Sequence, residues 1–506
     1  MFNKNPLTTK ATVAVLSVAI VAVFSFVLFF RSQAPPIVTP TWKFKVKAHK
    51  SRDNAYNAED EFSVSRLEVS KKQLYFLDTA YLYAIDKISG KKRWLKKINS
   101  TAVEKLTLSK NIYLTVFFDP HVDASVDYTH MSIEPKTGKE KWRLINKNRA
   151  ADELLIGENL VFSNDDKTIY AYDKQNKRLI WSVKSSQDIY EMILDKNEIF
   201  YTSHHQLVVL SASTGKKKWQ VNANPSVGRG IGVYVADDYV YMTEPPKNSA
   251  HTIFYSLDRR SGKKIWQYKM VGYIGSSPKI MANAVYFDSG YGGEEPDSIA
   301  ETFYVLNKTT GKDIWQIKSI SLDENDDGAP IEKIIKGNTM FYVADNVKND
   351  DGISTGIKTV DLATGKQKWE FEIEVNEGEL TYVSSLYYAQ DKIVFKTETV
   401  GEDNIKIYCL DAKTGRQLWN YTDSSISLIN VLKNHVFITT SSSKPNALIL
   451  LAIDMDNGRT KWKLPIKASG PEMISSLKVS GNKVIFVTES AVENDPEPST
   501  IYSVKL

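Results

Sequence analysis

The sequence predicts an all-β chain closed into a propeller of four-stranded blades, ten repeats in count, with an eight-bladed ring as the alternative. Glycine stands four residues before Trp94, Trp142, Trp219, Trp266, Trp315, Trp369, Trp419 and Trp462. Eight residues before the same tryptophans stand Asp86, Glu134, Ser211, Asp258, Asn307, Asp361, Asp411 and Asp454. From Trp42 onward the tryptophans are 38 to 54 residues apart, the length of one propeller blade. After residue 31 the chain carries short alternating or β-branched runs split by turn signals, as in "DELLIGENLVFSNDDKTIYAYD", and no convincing amphipathic helix.

Taken in order, residues 1–10 read as a cytoplasmic amino terminus and residues 11–30, "ATVAVLSVAIVAVFSFVLFF", as a transmembrane signal anchor. Those twenty residues hold no charge and are long enough to cross a bilayer. The nearest small-residue cleavage pattern, Ser32-Gln33-Ala34, runs into Pro35 and Pro36, which favours retention over cleavage. Lys4 and Lys10 precede the span and Arg31 alone follows closely, so the bulk of the chain is expected outside the cytoplasm, in a periplasm or at a cell surface. Residues 31–41, "RSQAPPIVTPT", form a proline-rich linker that reaches at most roughly 35 Å as polyproline II.

The propeller is then expected over residues 42–506. "TWKFKV" around Trp42 reads as the last strand of a blade without its preceding turn, and "TIYSVKL" at the far end as a third strand without its turn. Together they complete one blade and close the ring, which hides the edges an open array would expose. Within each repeat, glycine supplies the positive φ that a tight turn between strands C and D needs, and the acidic or hydroxyl side chain bonds the turn backbone. Tryptophan buries some 150–250 Å² between neighbouring sheets. The copy at Trp181 is degenerate: Asp173 keeps its place, but Asn176-Lys177 replaces the Thr-Gly pair. Trp42, Trp94, Trp142, Trp181, Trp219, Trp266, Trp315, Trp369, Trp419 and Trp462 are all expected to serve structure, not catalysis.

Signals for chemistry are sparse. The single cysteine, Cys409, lies in a strand and reads as a small buried hydrophobe. A net charge of +5 is spread over a large chain with no basic, aromatic-interleaved block, so no nucleic-acid partner is expected. His204-His205 are expected on opposite faces of a strand, where they share no metal. "GRGIGV", with Gly228, Gly230 and Gly232, precedes a strand instead of a helix, which suits close backbone packing better than phosphate binding. In "DENDDG", Asp323, Asn325 and Asp327 follow a calcium-loop order, yet Ile334 stands where a bidentate Glu belongs and Glu332 comes two residues early, so an ordinary acidic turn is favoured. No catalytic residue and no cofactor are assigned.

Loop chemistry is more informative. The C–D turns are short and basic, as in "SGKKRW", "TGKKKW" and "RRSGKKIW", whereas the loops expected at the opposite face vary in length and are mostly acidic. Variable loops on a rigid scaffold are where binding concentrates. The candidate partner face is therefore Glu294, Glu295, Asp323, Asp327, Asp350 and Asp351, with the basic turns toward the membrane.

The repeated Ala-x-Asp-x-x-Thr-Gly-x-x-x-Trp pattern, seen in "LDAKTGRQLW" at residues 410–419, resembles the tryptophan-docking motif of PQQ-like propeller repeats. Quinoprotein dehydrogenases and the propeller lipoprotein of bacterial outer-membrane barrel assembly share that repeat, and the resemblance covers nearly everything after residue 40. It implies a propeller whose tryptophans dock on neighbouring blades. For a quinoprotein it also implies a catalytic Asp, calcium ligands, an Arg and commonly a disulfide of adjacent cysteines over the quinone. One cysteine cannot form that disulfide, and no local match carries the other positions onto this sequence. The lipoprotein is lipidated on cysteine, and no cysteine stands near this amino terminus. A protein-binding scaffold, with a role in envelope protein assembly, is thus expected over a PQQ-dependent dehydrogenase.

Overall fold

A computed structural model describes residues 35–46 and most of 65–506, leaving short connecting segments between strands, and residues 1–34 and 47–64, outside the described part. Among the described residues the strands form ten antiparallel sheets, nine of them built as A-B-C-D in chain order. Blade 1 holds Ser65–Val69, Gln73–Leu77, Tyr81–Asp86 and Lys92–Lys97, and blades 2 to 8 follow over residues 102–146, 155–184, 189–222, 232–271, 273–318, 333–372 and 381–423; blade 9 holds Leu428–Leu432, His435–Ser441, Ala447–Asp454 and Thr460–Lys467. Blade 6 departs slightly, its strand A being split into Tyr273–Ile274 and Lys279–Met281, both paired to Ala284–Gly290. The ten-bladed count is the one expected from the tryptophans, and the eight-bladed alternative falls.

Blade 10 is composite. Glu472–Ser480, Lys483–Ser490 and Thr500–Lys505 supply strands A to C, and Trp42–Lys45 supplies strand D, pairing Trp42 with Ser503 and Lys45 with Thr500. The two partnerless strands of the sequence therefore find each other, as expected. Apolar residues alternate inward from both faces of strands B and C, so the core lies between blades. Each pair of neighbouring blades encloses one hydrophobic cluster, and the series runs round the ring from blades 10 and 1 to blades 9 and 10.

The linker is more structured than a free spacer. Lys463 of blade 9 donates its N–H to the Pro36 carbonyl at 3.0 Å, and Val38 donates to the Lys463 carbonyl at 3.0 Å. Residues 36–38 thus lie parallel to strand D of blade 9, on an edge that would otherwise be open. The expected reach of roughly 35 Å for residues 31–41 is shortened accordingly. Among the described residues no helix is long and apolar enough to cross a membrane, and residues 11–30 lie outside them.

Candidate functional site

The turn between strands C and D is the most regular local structure. In blade 1, Asp86 Oδ1 accepts from the Ile88 and Ser89 backbone N–H groups at 3.0 and 2.8 Å and from Ser89 Oγ at 2.9 Å. Arg93 binds the other carboxylate oxygen at 2.6 Å, and this pair with the turn N–H groups holds the Asp86 carboxyl well below the usual range. Asp411 repeats the arrangement with Thr414.

Across nine of the ten blade gaps the indole meets the next turn. Trp42 donates its N–H to the Lys87 carbonyl, Trp94 to Pro135, Trp142 to Lys174, Trp181 to Ala212 and Trp219 to Arg259. Trp266 donates to Lys308, Trp315 to Leu362, Trp369 to Ala412 and Trp419 to Met455, all at 2.7 to 3.1 Å. The turn glycine is needed twice over. Gly262 has φ +70° and a Cβ there would stand 2.5 Å from the Trp219 ring; Gly311, at φ +68°, would meet Trp266 at 2.6 Å. In the degenerate copy Lys177 itself adopts φ 65°, and its ammonium reaches the Arg143 carbonyl of blade 2.

Trp462 breaks the series. It is buried, yet its Nε1 has no hydrogen-bond partner among the described residues. The neighbour it faces is blade 10, whose strands C and D come from opposite ends of the described chain and share no turn. No signal in the sequence around Trp462 marks this difference; it follows from where the ring closes.

The basic turns are not uniformly solvated. Arg259 is buried, donating Nε to Glu198 at 2.7 Å and pairing with Asp195 at 2.6 Å, so it clamps blade 5 to blade 4. Lys87 likewise reaches Ser480 of blade 10 at 3.0 Å. Lys91, Lys92, Lys216 and Lys217 are exposed.

All the residues of the expected partner face, Glu294, Glu295, Asp323, Asp327, Asp350 and Asp351, lie outside the described residues, as does Asn325. Their flanking strands all end on the B–C and D–A face of blades 6 and 7. There Lys333 of blade 7 pairs with Asp288 of blade 6 at 2.6 Å, both side chains largely buried.

His204 and His205 require a correction. They form the tight B–C turn of blade 4, so strand alternation does not apply, and their rings pack edge to face 4.5 Å apart. Gly228 and Gly230 lie outside the described residues, while Gly232 opens a strand and leaves room for the Thr243 hydroxyl, which a Cβ would approach to 2.7 Å. Cys409 is fully buried, burial pushing its thiol up to about 12, and it faces the Met455 carbonyl. Its side chain packs in the hydrophobic gap between blades 8 and 9. Among the described residues no three His, Cys, Asp or Glu side chains converge as metal ligands.

A family profile described as "Outer membrane protein assembly factor BamB" matches residues 131–272, 204–464 and 355–494. A search of curated proteins gave no match. Among solved structures, BamB from Moraxella catarrhalis is 14% identical, covering 70% of this chain and 96% of its own, with a TM-score of 0.34. Quinohemoprotein alcohol dehydrogenase from Pseudomonas putida HK5 is 13% identical, covering 70% and 73%, with a TM-score of 0.32. The corresponding enzyme from Comamonas testosteroni is 13% identical, covering 92% and 76%, with a TM-score of 0.35.

Proposed function

Because the chain belongs to the family of the outer membrane protein assembly factor BamB, we propose that it is a membrane-anchored, extracytoplasmic scaffold that binds envelope proteins during their assembly. Family membership across most of the ring carries this reading. The uncharged stretch at residues 11–30 supports the anchor, and the proline-rich linker supports a ring held near the bilayer. In this reading the tryptophans are docking residues: each locks a blade to its neighbour, so the ring presents its loops from a rigid base. Partners bind the face bearing Glu294, Glu295, Asp323, Asp327, Asp350 and Asp351, whose charge suits a basic or mixed partner surface.

The test is crosslinking of the full chain in its native membrane, followed by identification of what is captured. Reversing Glu294, Glu295, Asp350 and Asp351 to Lys should abolish capture, while neutralising Lys91, Lys92, Lys216 and Lys217 should leave it intact. The opposite pattern refutes the assignment of faces. Saturable binding of PQQ with calcium and turnover of an alcohol or sugar would instead favour a dehydrogenase; neither is expected.

A further inference from the structure

Resting on the membrane-anchored reading above, we infer that blades 9, 10 and 1 lie with their C–D face against an anionic lipid surface. The tether brings the bilayer there. Residues 36–38 are held on strand D of blade 9, and Thr41 donates both its N–H and its hydroxyl to the Ser503 carbonyl. Only residues 31–35 then separate the uncharged stretch from fixed backbone, and five residues reach at most about 18 Å. A ring so close to a bilayer must turn one sector toward it.

The chemistry of that sector suits lipid headgroups. Lys71 and Lys72 on the A–B turn of blade 1, Lys91 and Lys92 on its C–D turn, and Lys433 and Arg459 on blade 9 are exposed. Nearby carboxylates are already paired: Asp86 with Arg93, Asp454 with Lys461 and Asp456 with Lys392. The remaining positive charge gains from an anionic surface within a Debye length. Two aliphatic side chains are exposed in this sector, Ile88 at 75% on the turn of blade 1 that carries Lys91 and Lys92, and Ile37 at 64% on the tether beside Lys463 of blade 9. Apolar tips flanked by lysines are accommodated at the boundary between headgroups and acyl chains, where long cationic side chains also extend to the phosphates. An acidic protein would match the charge, but the short tether puts lipid, not protein, within reach.

The full chain carrying Ile88→Cys, Ile37→Cys or Met473→Cys tests this. Met473, 51% exposed, is the second residue of strand A of blade 10, on the opposite face, and buried Cys409 does not compete for reagent. Each protein is reconstituted into vesicles of phosphatidylcholine with or without phosphatidylglycerol. Flotation reads anchoring alone, and its failure sinks the membrane-anchored reading and this inference with it. In chains that float with phosphatidylglycerol, a charged maleimide should react at least about fivefold more slowly at positions 37 and 88 than at 473. Salt, or Lys71→Gln, Lys72→Gln, Lys91→Gln and Lys92→Gln together, should shrink the difference without affecting flotation. Equal rates on both faces of floating chains would overturn the inference. So would protection at 88 that occurs in native membranes but not in vesicles, which would assign the face to a protein.

Discussion

Trp266 fills the gap between blades 5 and 6, buried and bonded to the Lys308 carbonyl at 2.7 Å. Trp266→Ala removes the ring and the bond together and should cost on the order of 3–5 kcal/mol. Lys263→Ala, at an exposed position in the preceding turn, should cost under about 0.5 kcal/mol; denaturant melts of the two variants separate these outcomes. His130 couples burial to pH. It is fully buried in strand C of blade 2, bonded through Nδ1 to Thr115 Oγ1 at 3.0 Å, and burial pushes its pKa from 6.5 to about 4. The unfolded chain then takes up a proton near pH 6.5 that the folded chain refuses until about pH 4. The stabilisation from this neutral imidazole is complete above 6.5 and is lost as pH falls through that window, by about 3 kcal/mol in all. His130→Gln should flatten this part of the stability profile. His435, also shifted down by burial, remains in both proteins, so the difference between their profiles reports His130. Identical profiles would show that His130 does not carry it.

At the scale of elements, blade 3 departs most from the repeat in its C–D turn. Its strand A spans Leu155–Ile156, and its C–D turn puts Lys177 in the left-handed region where eight other turns have glycine. An L-residue there is strained, so Lys177→Gly should raise stability by up to about 1 kcal/mol after losing the exposed contact to Arg143. An unchanged or lowered melting midpoint would mean that this contact outweighs the strain. The turns were legible in the sequence because positive φ and indole contact admit few residue types at fixed offsets. Strand A was not. Its pairing shifts register at Ile189/Glu191 and at Ser384/Tyr387, where Ser385 takes φ 58°, and a bulge needs no particular residue. The pairing of residues 36–38 with Lys463 was equally hidden, being made by backbone groups that every residue except proline carries in full. His204-His205 misled for a related reason: a two-residue turn interrupted the alternation that Glu198–Ser203 and Gln206–Ser211 otherwise keep.

For the whole molecule, ten similar interfaces make a ring whose integrity rests on its closing one. Blade number and closure were both legible, because each tryptophan marks a blade and the two unmatched strands fit one another. The candidate partner face rests on charge alone, since its loops carry no motif and lie outside the described residues. Closure depends on a strand of four residues, Trp42–Lys45, laid against Thr500–Ser503. Its side chains also fill the gap to blade 1, where Trp42 packs with Leu67, Ile85, Ile485 and Ile501. No turn joins this strand to strand C, so packing and pairing alone hold it. Trp42→Ala removes the largest part of that packing and the bond to Lys87, and the freed strand leaves Thr500–Lys505 as an open edge. With about 3 kcal/mol lost at the closure, amide exchange along Thr500–Lys505 should accelerate more than about a hundredfold through local opening. Trp266→Ala, whose strand stays covalently joined through its turn, should leave exchange at Thr500–Lys505 unchanged and act on blades 5 and 6. Matching exchange patterns in the two variants would show that the ring opens as one cooperative body and not first at its seam.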